Sequence, residues 1–130
     1  MNRLRFWLPA LLWAATIFVL SSMPPVVPPE KKPPLLIIPT DKLAHAGAYA
    51  LLGGLVLFAL RRAHNMRLPK AVVLAILLAS AYGISDEWHQ SFVPNRQAGL
   101  DDCAANAIGA GLMGCVWYLY ESRRCPKPNR

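Results

Sequence analysis

A chain of 130 residues has the length of one domain. Its residues are 55% apolar and 16% charged, and the charge is segregated in a way that excludes a soluble helical bundle, whose wet faces carry charge on every turn. The net charge of +7 does not point to nucleic acid, because no segment carries a basic stripe with interleaved aromatics.

Four apolar runs, at 6–20, 43–60, 71–85 and 103–120, hold one Asp, Glu, Lys, Arg or His between them, His45. Basic residues lie between and beyond the runs, the arrangement of membrane spans and their flanks. The mean hydropathy of +0.30 is modest because a proline-rich segment and basic tails dilute it. The expected fold is all-α: a single polytopic membrane domain of four transmembrane helices.

The first helix is expected at about 6–23. A basic start, an apolar stretch and Ser21-Ser22 resemble a secretory leader, but the small-residue cleavage pattern is poor and Pro24-Pro25 follow directly, so the segment reads as an uncleaved span. Residues 24–40 hold seven of the twelve prolines. Proline removes backbone donors and fixes φ, so this stretch should run extended as an outer loop, with the apolar piece 35–38 resting on the membrane or capping the bundle. Thr40 or Asp41 is a suitable N-cap for a second helix at about 42–60. A short basic loop ends at Pro69, and a third helix at about 71–92 is stopped by Pro94. The turn at 94–99 leads to Asp101 or Asp102 as the N-cap of a fourth helix, at about 102–120, and a polar tail follows.

Orientation follows from the basic residues. Arg3, Arg5, Arg61, Arg62, Arg67, Lys70, Arg123, Arg124, Lys127 and Arg130 fall on one side, against Lys31, Lys32, Lys42 and Arg96 on the other. Ten against four places both termini in the cytoplasm, N-in and C-in, and assigns the chain to the cytoplasmic membrane. The three cysteines suggest no disulfide. Cys103 and Cys115 would lie about 18 Å apart on one helix, Cys125 lies beyond its end, and there is no CxxC or Cys/His metal spacing.

Six of the seven acids fall on the outer side, where three helix ends meet. Asp41, His45 and Tyr49 share one face of the second helix at i, i+4, i+8. Tyr82, Asp86, His89 and Gln90 share a face of the third, with Glu87 about 100° round. Asp102 and Asn106 are an i, i+4 pair on the fourth. Adjacent carboxylates inside a span are costly in hydrocarbon and should face a protein or wet interior with partners; Lys42, His45, His89 and Arg96 are available. Asp86, Glu87 and His45 are therefore the candidate catalytic residues, and Asp41, Lys42, Gln90, Arg96, Asp102 and Asn106 the candidate ligand-binding ones. Plainer roles stand beside these: Asp41 and Asp102 as caps, His89 as an interfacial residue, Asp86 and Glu87 as structural ion pairs with Lys42 or Arg96, and Arg96 as a solvated turn residue. Small pairs such as Ala46/Ala50/Gly54 and Ala105/Gly109 read as helix contacts. No metal ligand set is assigned, since carboxylates with a histidine permit a metal but no spacing demands one.

Asp41-Lys42-x-x-His45, Asp86-Glu87-x-x-Gln90, Val93-Pro94-x-Arg96 and Asp102-x-x-x-Asn106-x-x-Gly109 together resemble the VanZ-like family in order, spacing and placement on the second, third and fourth helices. The likeness covers roughly residues 10–120. Asn95 stands where the family often has glycine, and Asp101 where an apolar residue is usual. The resemblance implies a multi-pass membrane protein linked to glycopeptide resistance, notably to teicoplanin. The expected function is action at the outer membrane face on the cell envelope, with the lipid bilayer as surroundings and a lipid-linked cell-wall precursor or a glycopeptide as ligand. Other readings are a membrane-embedded enzyme using the carboxylate and histidine residues, a carrier, and a structural membrane subunit without catalysis. No cofactor and no oligomeric state are assigned.

Overall fold

The computed structural model describes residues 2–24, 40–96 and 98–124. The proline-rich loop, with the apolar piece 35–38, lies outside the described residues apart from its two ends, as do Gln97 and the tail from Cys125. Four helices follow in order: α1 (Leu4–Ser21), α2 (Thr40–His64), α3 (Leu68–Gln90) and α4 (Leu100–Arg124). All four are long and apolar enough to cross a bilayer, and the chain is a multi-pass membrane protein.

The helix ends depart from expectation in instructive ways. α2 continues through Arg61 and Arg62 to His64, because the arginine cations suit the carbonyl end of a helix. Asn65 then takes the left-handed conformation, φ 49°, and Met66 N–H reaches back to the Leu60 carbonyl at 3.4 Å, closing the helix. α3 opens at Leu68 with Pro69 inside its first turn, where a missing N–H costs nothing. α4 opens at Leu100, so Asp101 and Asp102 lie in the first turn instead of at the N-cap. The Gly99 carbonyl accepts the Asp102 and Cys103 N–H groups, and the Asp102 carboxylate is released for a tertiary contact. Asp41, likewise, lies in the first turn of α2 and not before it.

Small residues decide the packing. α2 and α4 form the largest helix pair, because Gly109 of α4 meets the backbone of α2 directly. A Cβ at Gly109 would fall on the Ala46 carbonyl and come within 2.8 Å of its Cα. Two turns further along α2, Gly53 approaches the Ala110 Cα in the same way, its imagined Cβ at 3.2 Å. The buried face of α3 is Ala71, Ala75, Ala79 and Gly83 at i+4 intervals, then Asp86, Glu87 and Gln90. This stripe lets α3 lie close against α2 and α4. α1 packs on α2 and slightly on α3, and among the described residues it makes no contact with α4.

Outward faces carry the opposite pattern. Val73 and Leu77 on α3, and Ile108, Leu112 and Val116 on α4, repeat at i+4 and are each more than half exposed. In water these would be large apolar patches; facing acyl chains they need no cover. At the end remote from the acids, Arg61 donates to Glu121 at 2.8 Å and to the Met66 carbonyl at 2.8 Å, while Trp117 Nε1 donates to the other Glu121 oxygen at 2.8 Å. That network ties α2 to α4 at this end.

Candidate functional site

The last turn of α3 presents two buried carboxylates in different directions. Asp86 faces α1 and α2 and is fully engaged. Ser21 Oγ donates to Oδ1 at 2.6 Å, and Oδ2 accepts from Tyr49 Oη at 3.2 Å and Gln90 Nε2 at 3.0 Å. These donors come from α1, α2 and α3, so Asp86 joins three helices. Tyr49 is 1% exposed and fits because Gly83 has no side chain: a Cβ there would lie 3.1 Å from the Tyr49 ring and from Asn106.

Glu87 turns towards α2 and α4. One oxygen accepts the Gly99 N–H at a long 3.4 Å. The other, Oε1, is buried, has no hydrogen-bond partner among the described residues and lies 3.6 Å from His45 Nδ1. The imidazole also lies 3.1 Å from Asn106 Oδ1. Asn106 is completely buried, and its amide nitrogen likewise lacks a partner. Asp102 completes the group from α4. It pairs with Lys42 Nζ, which also reaches Asp101 at 2.6 Å. An imidazole nitrogen of His45 and carboxylate oxygens of Glu87 and Asp102 all lie within 4.8 Å of one another. These three residues could hold a metal ion, a possibility that sequence spacing alone did not reveal.

The turn after α3 supplies the third part. Val93-Pro94-Asn95-Arg96 closes with Arg96 N–H on the Val93 carbonyl at 3.2 Å. Asn95 has φ 63°, the left-handed value that a type II turn requires after proline. This accounts for an asparagine or a glycine there. The turn aims Arg96 back over the helix ends. Its guanidinium donates to Gln90 Oε1 at 2.6 Å, to the Leu20 carbonyl at 3.0 Å and to the Met23 carbonyl at 3.2 Å. Arg96 thus satisfies carbonyls at the end of α1, while Gln90 links it to Asp86.

A cleft of about 190 Å³ opens between α1 and α2 beside this network. Ile17, Leu20, Ala44 and Ala48 form its apolar wall, and Ser21, Asp41, His45, Tyr49, Asp86, Gln90 and Arg96 its polar one.

Of the expected site residues, Asp41, His45, Asp86, Gln90 and Arg96 line the cleft, and Glu87, Asp102, Asn106 and Lys42 gather on the far side of His45. The expected alternative of ion pairs from Asp86 or Glu87 to Lys42 or Arg96 does not occur: Lys42 goes to Asp101 and Asp102, and Arg96 to Gln90 and backbone. His89 lies 3.0 Å from Ser22 Oγ and stacks on Phe18 with ring centroids 4.6 Å apart, an anchoring role at the α1 interface. Sequence reasoning missed Ser21 as a donor to Asp86. Its only signal was a hydroxyl at the end of an apolar run, on the same side of the membrane as the acids. Asp101, which departs from the family pattern, provides Lys42 with a second carboxylate.

The fold is that of a four-helix multi-pass membrane protein with carboxylates, a histidine and an asparagine buried at one end. The VanZ/LLP1 family matches residues 6–121, nearly the whole chain, and the protein belongs to that family. Searches of curated proteins and of solved structures found no match.

Proposed function

We propose that this protein binds the head of a lipid-linked cell-envelope intermediate at the outer face of the cytoplasmic membrane, and that any link to glycopeptide resistance runs through that ligand. The observation that carries the reading is the two-sided cleft between α1 and α2, apolar towards Ile17, Leu20, Ala44 and Ala48 and polar towards His45, Asp86, Gln90 and Arg96. An amphipathic molecule can place its chain against the first wall and its head against the second. Arg96 offers a planar, charged donor suited to phosphate or carboxylate. Size separates the two ligands considered. Pockets for drug-sized ligands measure roughly 300–1,000 Å³, so a cleft of about 190 Å³ suits a headgroup fragment. A glycopeptide antibiotic, larger still, would have to lie mostly outside it. The proposed orientation has both termini in the cytoplasm, from the asymmetry of lysine and arginine.

A second reading, a membrane-embedded enzyme, is favoured by Glu87 Oε1. A buried carboxylate oxygen without a donor, beside an imidazole, is suited to take or give a proton. The test of both is a comparison of lipid-linked envelope precursors in wild-type cells, deletion cells and deletion cells complemented with Arg96→Ala or Glu87→Gln. A change confined to one precursor, restored by the wild-type gene and not by Arg96→Ala, is the expected result. Unchanged precursor pools in the deletion would overturn the ligand assignment. A precursor bound but not converted in Glu87→Gln cells would favour the enzyme.

A further inference from the structure

Asp86 and Glu87 are both buried, yet only one of them is satisfied. Asp86 collects three donors. Glu87, 5% exposed, has one long backbone contact on Oε2 and no hydrogen-bond partner on Oε1 among the described residues. A carboxylate oxygen withdrawn from water without a donor is costly, so its surroundings should explain it. They consist of His45 and Asp102, each with a ligand-capable atom in the same small volume.

We propose that His45, Glu87 and Asp102 form a binding site for a divalent transition-metal cation of the zinc or manganese type. Three features support it. The donor set, one imidazole nitrogen and two carboxylate oxygens, is one that these ions accept. The ligands come from α2, α3 and α4, the three helices that pack most closely, so they are held in place before any ion arrives. The charges also balance. Two carboxylates neutralise a divalent cation, while Lys42, 2.6 Å from Asp101, keeps that exposed carboxylate as its own partner when Asp102 turns to the metal. The side chains of His45 and Asp102 remain 14% and 10% exposed, which leaves an entry path. Such a cation would be held whether or not a lipid-linked ligand binds, so metal uptake and envelope phenotype can fail separately.

The experiment uses the full chain purified in detergent, stripped with chelator and dialysed against Zn²⁺ or Mn²⁺, with bound metal counted by elemental mass spectrometry. Uptake of a single ion per chain, with a rise in thermal stability, is expected. Glu87→Gln and Asp102→Asn should each weaken uptake by more than the roughly 10–100-fold that loss of an outer partner costs. Glu121→Gln, at the opposite end, should bind as the wild type does. Cobalt spectra of the unmutated chain keep the test independent of variant folding. Visible bands of nitrogen and oxygen coordination are expected, without the near-ultraviolet band of a cobalt–thiolate bond. That thiolate band would shift the site to Cys103 and overturn the ligand set. A folded wild-type protein that takes up no stoichiometric metal, or a Glu87→Gln protein that takes it up unchanged, overturns the proposal itself.

Discussion

Asp86 and Glu87 are adjacent on α3 and serve different sides of it: Asp86 lies under α1, its Oδ1 2.6 Å from Ser21 Oγ, whereas Glu87 turns to α2, its Oε1 3.6 Å from His45 Nδ1. Lys42 and Arg96 are held elsewhere, so neutralising either acid strands neither cation. In Asp86→Asn the new amide can donate to Ser21, whose hydroxyl already has the Phe18 carbonyl at 3.0 Å to donate to. The cost is the exchange of charge-assisted bonds for neutral ones, about 1 kcal/mol. Asp86→Asn and Glu87→Gln should therefore accumulate in the membrane at near wild-type levels and lose envelope function. Immunoblots of membranes beside glycopeptide susceptibility check this. Abundant variants with an unchanged phenotype would remove both residues from the site. Asp86→Ala strands the Tyr49 and Gln90 donors, at about 1–3 kcal/mol for each one left unsatisfied, and its level should fall.

Two glycines of α4 make a matched pair. Gly109 has the Ala46 backbone against it, whereas nothing lies within 4 Å of a Cβ at Gly111. Gly109→Ala must push two backbones apart, and overpacking costs typically about 1–3 kcal/mol even where side chains can yield. Gly111→Ala meets no obstacle and gains helix propensity worth up to about 1 kcal/mol. Thermal aggregation of the solubilised protein should show a lower midpoint for the first and an equal or higher one for the second. Equal behaviour of the two variants would contradict the close crossing.

The turn before α4 depends on the left-handed backbone of Asn95. Asn95→Gly should be neutral or slightly stabilising. Asn95→Val should cost about 1–2 kcal/mol and loosen Arg96 from Gln90 and the α1 carbonyls. Limited proteolysis from the outer side should cut the valine variant faster at this turn, and Arg96→Ala should be cut faster too. A valine variant as resistant as the wild type would mean that Arg96 does not depend on the turn.

Topology is open to direct test. Reporters fused after Lys70 and at the C-terminus should report cytoplasm, and reporters at Pro28 and Gln97 the outside, as expected from ten basic residues against four. An external C-terminus would move the site to the cytoplasmic face and remove the basis for an envelope ligand.

The helices were legible because apolar runs of membrane length have few alternatives, and the polar stripes because i, i+4 spacing survives any detail of packing. Partner choice was not legible. In sequence terms Lys42 was a partner for Asp86 or Glu87, and only the crossing of α2 with α4 brings it to Asp101 and Asp102 instead. The first-turn position of Asp102 was equally hidden. A residue at a helix start reads as a cap until the real start, at Leu100, is known. Ser21 escaped because its partner lies 65 residues away. The triplet of His45, Glu87 and Asp102 escaped for a related reason: each residue comes from a different helix, and no linear spacing encodes the meeting.

The crossing at Gly109 and Ala46 also works as a fulcrum. Where two backbones touch with no side chain between them, the helices can pivot but cannot easily slide or roll, and displacement grows with distance from the contact. His45 is next to Ala46, and Asn106 is one turn from Gly109, so both sit almost on the pivot. Glu121, twelve positions along α4 at about 1.5 Å per residue, rides on the long arm. Flexing of the bundle in a thick or thin bilayer would swing the Arg61–Glu121 end through the larger arc while the imidazole and the carboxamide kept their spacing. The geometry of the polar end would thereby feel such flexing less than the opposite end does.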